Sequence, residues 1–337
     1  MHVLVTGGTG FLGEALCRRL RERGLTVSSL ARRSSPSLAA IEVEQCPADL
    51  SDRDAVVDAA RGCAAVFHVA AKAGAWGARE DYYRTNVVGT DNVIAACRAH
   101  GVGKLIYTSS PSVVHAGADL EGVDESIPYA RHFLAVYPET KALAERRVLA
   151  ANSPELATLA LRPHLIWGPG DTQLLPRILE RARAGRLRFI GRSSRLIDTI
   201  YIDNAVEAHL NAFDRLGPGA ACAGKAYFIS QGQPAPLDVM VNALLSAAGY
   251  PAEHRRIPYR LAYTIAVLSE LVYRSLRLKA EPLLTRWAVE HLGTAHWFDI
   301  SAARRDLGYA ATVSSAEGLA RLREWLRGSA SLQGLPR

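Results

Sequence analysis

A tyrosine and a lysine stand four residues apart in the stretch YPETK, Tyr137 to Lys141, at what reads as the start of a helix. At that spacing two side chains share one helix face. A phenol beside an ammonium can give and take a proton, the lysine charge favouring the phenolate. A lone phenol, titrating near about 10, is a poor base at neutral pH. Pro138 suits the first helical turn, where its missing N–H costs no hydrogen bond. The same five residues also fit an ordinary helix start with Glu139 and Lys141 turned to solvent, so the rest of the chain has to decide.

A second group is TGGTGFLG, residues 6–13, which follows the apolar run HVLVT and opens the amphipathic FLGEALCRRLRERG. Gly8, Gly10 and Gly13 frame it as G-x-G-x-x-G; Gly7, Gly10 and Gly13 frame it as G-x-x-G-x-x-G. Either pattern lets backbone approach a pyrophosphate at a positive helix N-terminus. The next strand, TVSSLA (26–31), ends without the carboxylate that would bond a free ribose. Ala31 holds that place, and Arg32 and Arg33 follow. Two guanidinium groups suit a 2′-phosphate, so NADP(H) is expected, with a solvated loop as the alternative.

The elements that must position these groups alternate. Further strands are expected at IEVEQC (41–46), AAVFHVAA (64–71), KLIYTSS (104–110) and LATLALR (156–162). Helices are expected at SDRDAVVDAARG, with Ser51 as N-cap, at 81–101, and from YPETK onward. This rhythm predicts an α/β Rossmann fold with a doubly wound parallel sheet. After Pro163 it changes: WGPGD (167–171) is a turn, RLIDTIYI (195–202) and KAYFIS (225–230) are short strand candidates, and helix dominates thereafter. We expect a nucleotide-binding domain at 1–165 and a smaller, mostly helical substrate lobe at 166–337, with residues near 195–230 returning to the first.

The composition, 49% hydrophobic and 22% charged, is that of a globular protein. Five cysteines show no CxxC and no metal-ligand spacing, which predicts a reduced, cytoplasmic setting without disulfides or a metal site. MHVLVTGG is not a signal peptide. The longest apolar stretch, 260–278, is cut by Ser269 and Glu270, so it predicts a buried or membrane-touching amphipathic helix rather than a span. The net charge is +7, with arginines clustered at 181–195. That field suits an anionic partner, but no basic stripe interleaved with aromatics predicts nucleic acid.

In order along the chain, TGGTGFLG, ADL (48–50), HVAAKAG (68–74), NVVGT (86–90), YTSS (107–110), YPETK and RPHLIWGPGD (162–171) resemble the extended short-chain dehydrogenase/reductase family. DTIYIDNAVEAHLNA (198–212) and HWFDISAARRDLGYA (296–310) resemble its 3β-hydroxysteroid dehydrogenase-like branch. The resemblance covers nearly the whole chain. It implies Tyr137 as general acid/base, Lys141 as its partner and ribose ligand, and Ser110 as the group that polarises the substrate oxygen. Ser109 and Ser112 compete for that last role. It implies cofactor contacts from Gly7, Gly10, Phe11, Leu12 and Gly13, from Asp49 and Leu50 at the adenine, and from Ala70, Ala71, Lys72, Asn86 and Ser109. Pro163 is expected to begin the segment beneath the nicotinamide.

For substrate, the resemblance implies a ketone or secondary alcohol β to a carboxylate with a bulky α-substituent. NADPH-dependent reduction of long-chain 2-alkyl-3-oxo acids in olefin biosynthesis is the leading expectation. Dehydrogenation of 3β-hydroxysteroids or sterol 4α-carboxylates is the alternative, and nucleotide-sugar epimerisation or dehydration a third. A non-catalytic NADP-binding role is a fourth, disfavoured by an intact Ser–Tyr–Lys set. Tyr259, Tyr263 and the 260–278 segment are candidate channel walls, and Lys72, Arg192 and Arg195 are candidate partners for a carboxylate. A homodimer through residues near 80–98 and 137–150, and an enzyme that hands over the unstable β-keto acid, complete the expectations.

Overall fold

A computed structural model describes residues 1–278 and 280–333; the last residues of the expected second lobe lie outside the described residues. Seven parallel strands form the central sheet: β1 (His2–Thr6), β2 (Thr26–Ala31), β3 (Glu44–Pro47), β4 (Ala65–His68), β5 (Lys104–Thr108), β6 (Ala157–Pro163) and β7 (Lys225–Ile229), in the order β7-β6-β5-β4-β1-β2-β3. Alternate residues serve opposite faces. Val3, Val5, Phe67 and Ile106 enter one apolar core, while Leu4, Val66, Leu105 and Tyr107 enter the other. With both faces covered, the strands are almost continuously hydrophobic, as parallel sheets require. Strand order reverses at β1, which pairs with β2 on one side and β4 on the other. Ligands bind outside the carboxyl ends of strands at such a crevice.

Four local expectations are revised. The third strand is shorter than IEVEQC, because Glu42 turns at φ 55° before the chain can extend. Asp52, not Ser51, caps the helix Arg53–Ala59, accepting the Ala55 N–H at 3.2 Å. The Ser51 hydroxyl is drawn instead to Asp49 Oδ1 at 2.7 Å. RLIDTIYI is not one strand: Leu196–Ile197 pairs with Ala235–Pro236 and His296–Phe298, whereas Ile200–Tyr201 pairs with Ile166–Trp167. Buried Asp198 breaks the run, its carboxylate accepting from Thr199 N–H (2.8 Å), Ser230 Oγ (2.7 Å) and Gly232 N–H (2.8 Å). The 81–101 helix begins at Arg79 and widens to a π-helical turn over Arg84–Val88.

In the lobe, the helix Tyr259–Ser275 buries only Ala262, Ala266 and Glu270. Leu261, Ile265, Leu268, Leu271 and Val272 are exposed. Tyr259 and Tyr263 stack at 6.0 Å beside a small cluster of Ile190, Ala262, Ala266 and Val289. Among the described residues no helix is long and apolar enough to cross a membrane.

Candidate active site

The glycine loop is built by exclusion of side chains. Gly7 sits at φ 74°, and a Cβ there would lie 2.8 Å from Ala70 Cα. A Cβ on Gly13 would meet Gly7 O at 2.1 Å, so this glycine lets the first helix pack on the turn. Gly8 is closed by Ser29 Oγ, 2.2 Å away. At Gly10 only Gly7 O, at 3.3 Å, would touch a Cβ. Gly10 is also the N-cap of the helix Phe11–Glu22, and no side chain caps its amides. Free N–H groups at the head of a 12-residue helix, reached across glycine backbone, fit a pyrophosphate. Phe11 is partly buried and Leu12 fully so, anchoring the first helical turn.

Arg32 and Arg33 follow β2 and are exposed, with no carboxylate in ion-pair range among the described residues. Asp49 already accepts two hydrogen bonds from Ser51, which hold its carboxyl below the usual range, with Arg84 and Arg32 adding to the effect. Leu50 is buried beneath Gly89, where a Cβ would lie 2.7 Å from its own Cβ. Asn92 donates to Leu50 O at 2.8 Å. Among the described residues this stretch therefore offers two exposed arginines outside any ion pair and one carboxylate that is already hydrogen-bonded.

Tyr137 and Lys141 lie on the helix Val136–Ala150, with Pro138 inside its first turn. Lys141 does not face solvent. It is 2% exposed, its ammonium donating to Thr108 O at 2.6 Å and sitting 4.1 Å from the Tyr107 ring centre. Burial pulls the ammonium down to about 7, and Glu145, one turn on, opposes the fall. Burial pushes the Tyr137 phenol up, while a hydrogen bond from the Ser110 side chain draws it back. Ser110 lies two residues beyond the end of β5 and bonds Ser112 Oγ at 2.9 Å. Ser109 points elsewhere: its hydroxyl is buried without a partner and its N–H donates to Leu161 O at 2.6 Å. Ser110 is therefore the serine that meets Tyr137.

Asn86 fastens the loop that follows β4. Its Oδ1 accepts the Lys72 N–H at 2.7 Å, and its Nδ2 donates to Lys72 O and to Thr140 Oγ1, both at 3.0 Å. The loop Ala70–Ala71–Lys72 is thus tied to the helix Val136–Ala150 one residue before Lys141. Thr90 donates to Asn86 O at 2.6 Å and so accepts from His68 Nε2 at 2.9 Å. His68 Nδ1 must then accept from Thr6 Oγ1 at 2.7 Å. Burial, helped by Lys141, pulls this imidazole down to about 3, so it braces the site as a neutral ring. Pro163 ends β6 fully buried. Of the candidate carboxylate partners, Lys72 pairs with Asp81 at 2.7 Å and Arg195 with Asp119 at 3.7 Å, while Arg192 is exposed.

Sequence reasoning missed the support behind the lysine. Glu145, fully buried, accepts from Arg162 Nη2 at 2.6 Å and from Tyr129 OH at 2.7 Å. Its place four residues after Lys141, on the same helix face, was the available signal. A cluster of His115, His164, His291 and His296 was also missed, because no local spacing links these positions.

Residues 4–259 match the 3-beta hydroxysteroid dehydrogenase/isomerase family. The 2-alkyl-3-oxoalkanoate reductase of Stenotrophomonas maltophilia (strain K279a) is 55% identical over 96% of this chain and 98% of its own length. The sterol-4-alpha-carboxylate 3-dehydrogenase, decarboxylating, of Mus musculus is 37% identical over 94% of this chain and 88% of its own. Among solved structures, MoeE5 in complex with UDP-glucose and NAD has a TM-score of 0.75 and 25% identity, covering 98% of this chain and 99% of that one.

Proposed function

The chain belongs to the 3-beta hydroxysteroid dehydrogenase/isomerase family of extended short-chain dehydrogenases, as an NAD(P)-dependent oxidoreductase, and from that premise we propose that it reduces long-chain 2-alkyl-3-oxoalkanoic acids to 2-alkyl-3-hydroxyalkanoic acids with NADPH. The observation that carries this reading is the 55% identity, over nearly both full lengths, to a 2-alkyl-3-oxoalkanoate reductase.

The site residues support the reducing direction. The C3 carbonyl oxygen sits between Ser110 and Tyr137, receiving a hydrogen bond from the first and the proton from the second. A phenol raised by burial is protonated at neutral pH, which is the state a proton donor needs. Bound NADPH supplies the hydride. As the proton leaves Tyr137, the Lys141 ammonium stabilises the phenolate. Asn86 keeps the Ala70–Lys72 backbone in place, and Arg32 and Arg33 select the 2′-phosphate.

The product has a clear chemical use. A β-keto acid loses carbon dioxide readily, and reducing its ketone closes that route. The resulting β-hydroxy acid can lose carbon dioxide and water together to give an alkene, which supports a role in olefin biosynthesis.

The test is oxidation of a long-chain 2-alkyl-3-hydroxy acid with NADP⁺, run beside a 3β-hydroxysteroid, a sterol 4α-carboxylate and UDP-glucose, each also with NAD⁺. NADPH formation on the branched acid is the expected result. Turnover confined to the sterol compounds, the second reading favoured by the Mus musculus relative, would overturn it. So would turnover confined to UDP-glucose.

A further inference from the structure

Apart from the proton-transfer pair, the end of β6, the helix Arg286–Gly293 and the strand His296–Phe298 bring imidazoles together. His291 stacks on His296, with ring centres 4.2 Å apart and planes 15° from parallel. His164 presents its edge to both, at 6.0 and 4.8 Å. His164 and His296 are 3% and 2% exposed. His296 Nε2 bonds the carbonyl of His291 at 2.6 Å. A carbonyl only accepts, so this nitrogen carries the proton and His296 Nδ1 carries a lone pair.

That lone pair has no partner. Nor has His291 Nδ1, and neither ring nitrogen of His164 makes a bond of full geometry, although the Asp198 backbone favours a proton on one of them. One nitrogen from each ring lies within 4.8 Å of the other two. Buried polar atoms are nearly always bonded, and each orphan is costly. One nitrogen of each ring is therefore within reach of a common centre, where a shared acceptor of lone pairs would satisfy them. His164 and His296 are buried and His291 is half-buried, a setting that disfavours the charged imidazolium. Neutral imidazole is the form that metals bind. His115 contributes to the packing, but its Nε2 is engaged with Thr294 Oγ1 at 3.0 Å.

We propose that His164, His291 and His296 form a site for one imidazole-preferring divalent ion of the zinc class. Three nitrogen ligands at about 2.0–2.1 Å leave one tetrahedral position for water or a ligand oxygen. His291, the only partly exposed member of the three, must swing its ring out of the stack on His296 to close the set. The His291 carbonyl, holding His296 in its tautomer, acts as the outer-shell partner that metal-bound histidines use. The ion ties β6, immediately after Pro163, to two elements of the lobe. Sequence spacing suggested no metal, because its ligands come from segments separated by most of the lobe.

The experiment uses the full chain without a histidine tag, stripped by a chelator. Zn²⁺ is titrated by calorimetry and Co²⁺ by visible absorption. The expected result is one ion per chain and the intense visible bands of tetrahedral cobalt. His291→Gln should weaken binding by more than the roughly 10–100-fold that loss of an outer-shell partner costs. NADPH fluorescence titration of the same variant reports an intact fold. Absence of stoichiometric binding overturns the proposal, as does unchanged affinity in His291→Gln, which would move the ion to other histidines. Metal content is read without turnover, so this result stands apart from the reductase assay.

Discussion

Replacing Lys141 with methionine should stabilise the protein at low pH by an amount that shrinks as pH rises. The ammonium is buried and pulled from its ordinary 10.5 to about 7. For a base lowered by folding, the unfolded chain holds a proton between about 7 and 10.5 that the native chain lacks. Native stability therefore climbs with pH across that window, and below it the full cost of a buried charge remains. At about 1.36 kcal/mol per pKa unit, that cost is at most about 5 kcal/mol at pH 6. It falls to about 2 kcal/mol at pH 9. Lys141→Met removes it, and also removes the hydrogen bond to Thr108 O. That second loss, about 1–3 kcal/mol, does not depend on pH because a neutral amine also donates. Urea unfolding of both proteins at pH 6 and pH 9 should thus show the variant's relative stability falling by about 2–3 kcal/mol between the two. Titrating groups that do not feel Lys141 are common to both chains and cancel, and His68, held at about 3 chiefly by burial, does not titrate between pH 6 and pH 9. A relative stability that is flat with pH would refute a lysine held in a dry site.

Tyr137→Phe should lower kcat by about 10²–10⁴ while NADPH still quenches or enhances fluorescence with unaltered affinity. Arg32→Ala with Arg33→Ala should raise the KM for NADPH by about 10–100-fold, from the loss of charge-assisted bonds, and leave the KM for NADH unchanged. Gly13→Ala places a methyl 2.1 Å from Gly7 O, so chemical unfolding should show a loss of about 1–3 kcal/mol and nucleotide titration a loss of binding. Asn86→Ala strands the Lys72 backbone and Thr140, and should raise the cofactor KM more than it lowers kcat.

The glycine turn and the Tyr–Lys pair were legible because each depends on local geometry: a backbone that tolerates no Cβ, and one helix face. The alternating strands were legible for the same reason, their side chains serving two covered faces. What escaped depends on distant chain. Lys141 finds its carbonyl partner on β5, and Glu145 finds Arg162 on β6. The break inside RLIDTIYI follows from Asp198 reaching Ser230 and Gly232. Ser51 lost the cap to Asp52 because Asp49, two residues earlier, competes for its hydroxyl. The 260–278 stretch does form a helix, over Tyr259–Ser275, but it is not buried: Ala262, Ala266 and Glu270, not its leucines, turn inward. That choice is made by the close packing of a neighbouring helix, which no periodicity states.

β6 carries a consequence for the order of synthesis. Every residue of Ala157–Pro163 is buried, and one of its two edges is covered only by β7, whose Lys225 lies opposite Leu159. While the chain emerges from the ribosome, that edge waits for more than sixty further residues to be made. Until Ile229 has cleared the exit tunnel the nascent sheet ends in an apolar strand with open backbone donors and acceptors, a template for a neighbouring polypeptide. Stalling or truncation between these two strands therefore leaves a sticky nascent chain rather than a smaller working enzyme.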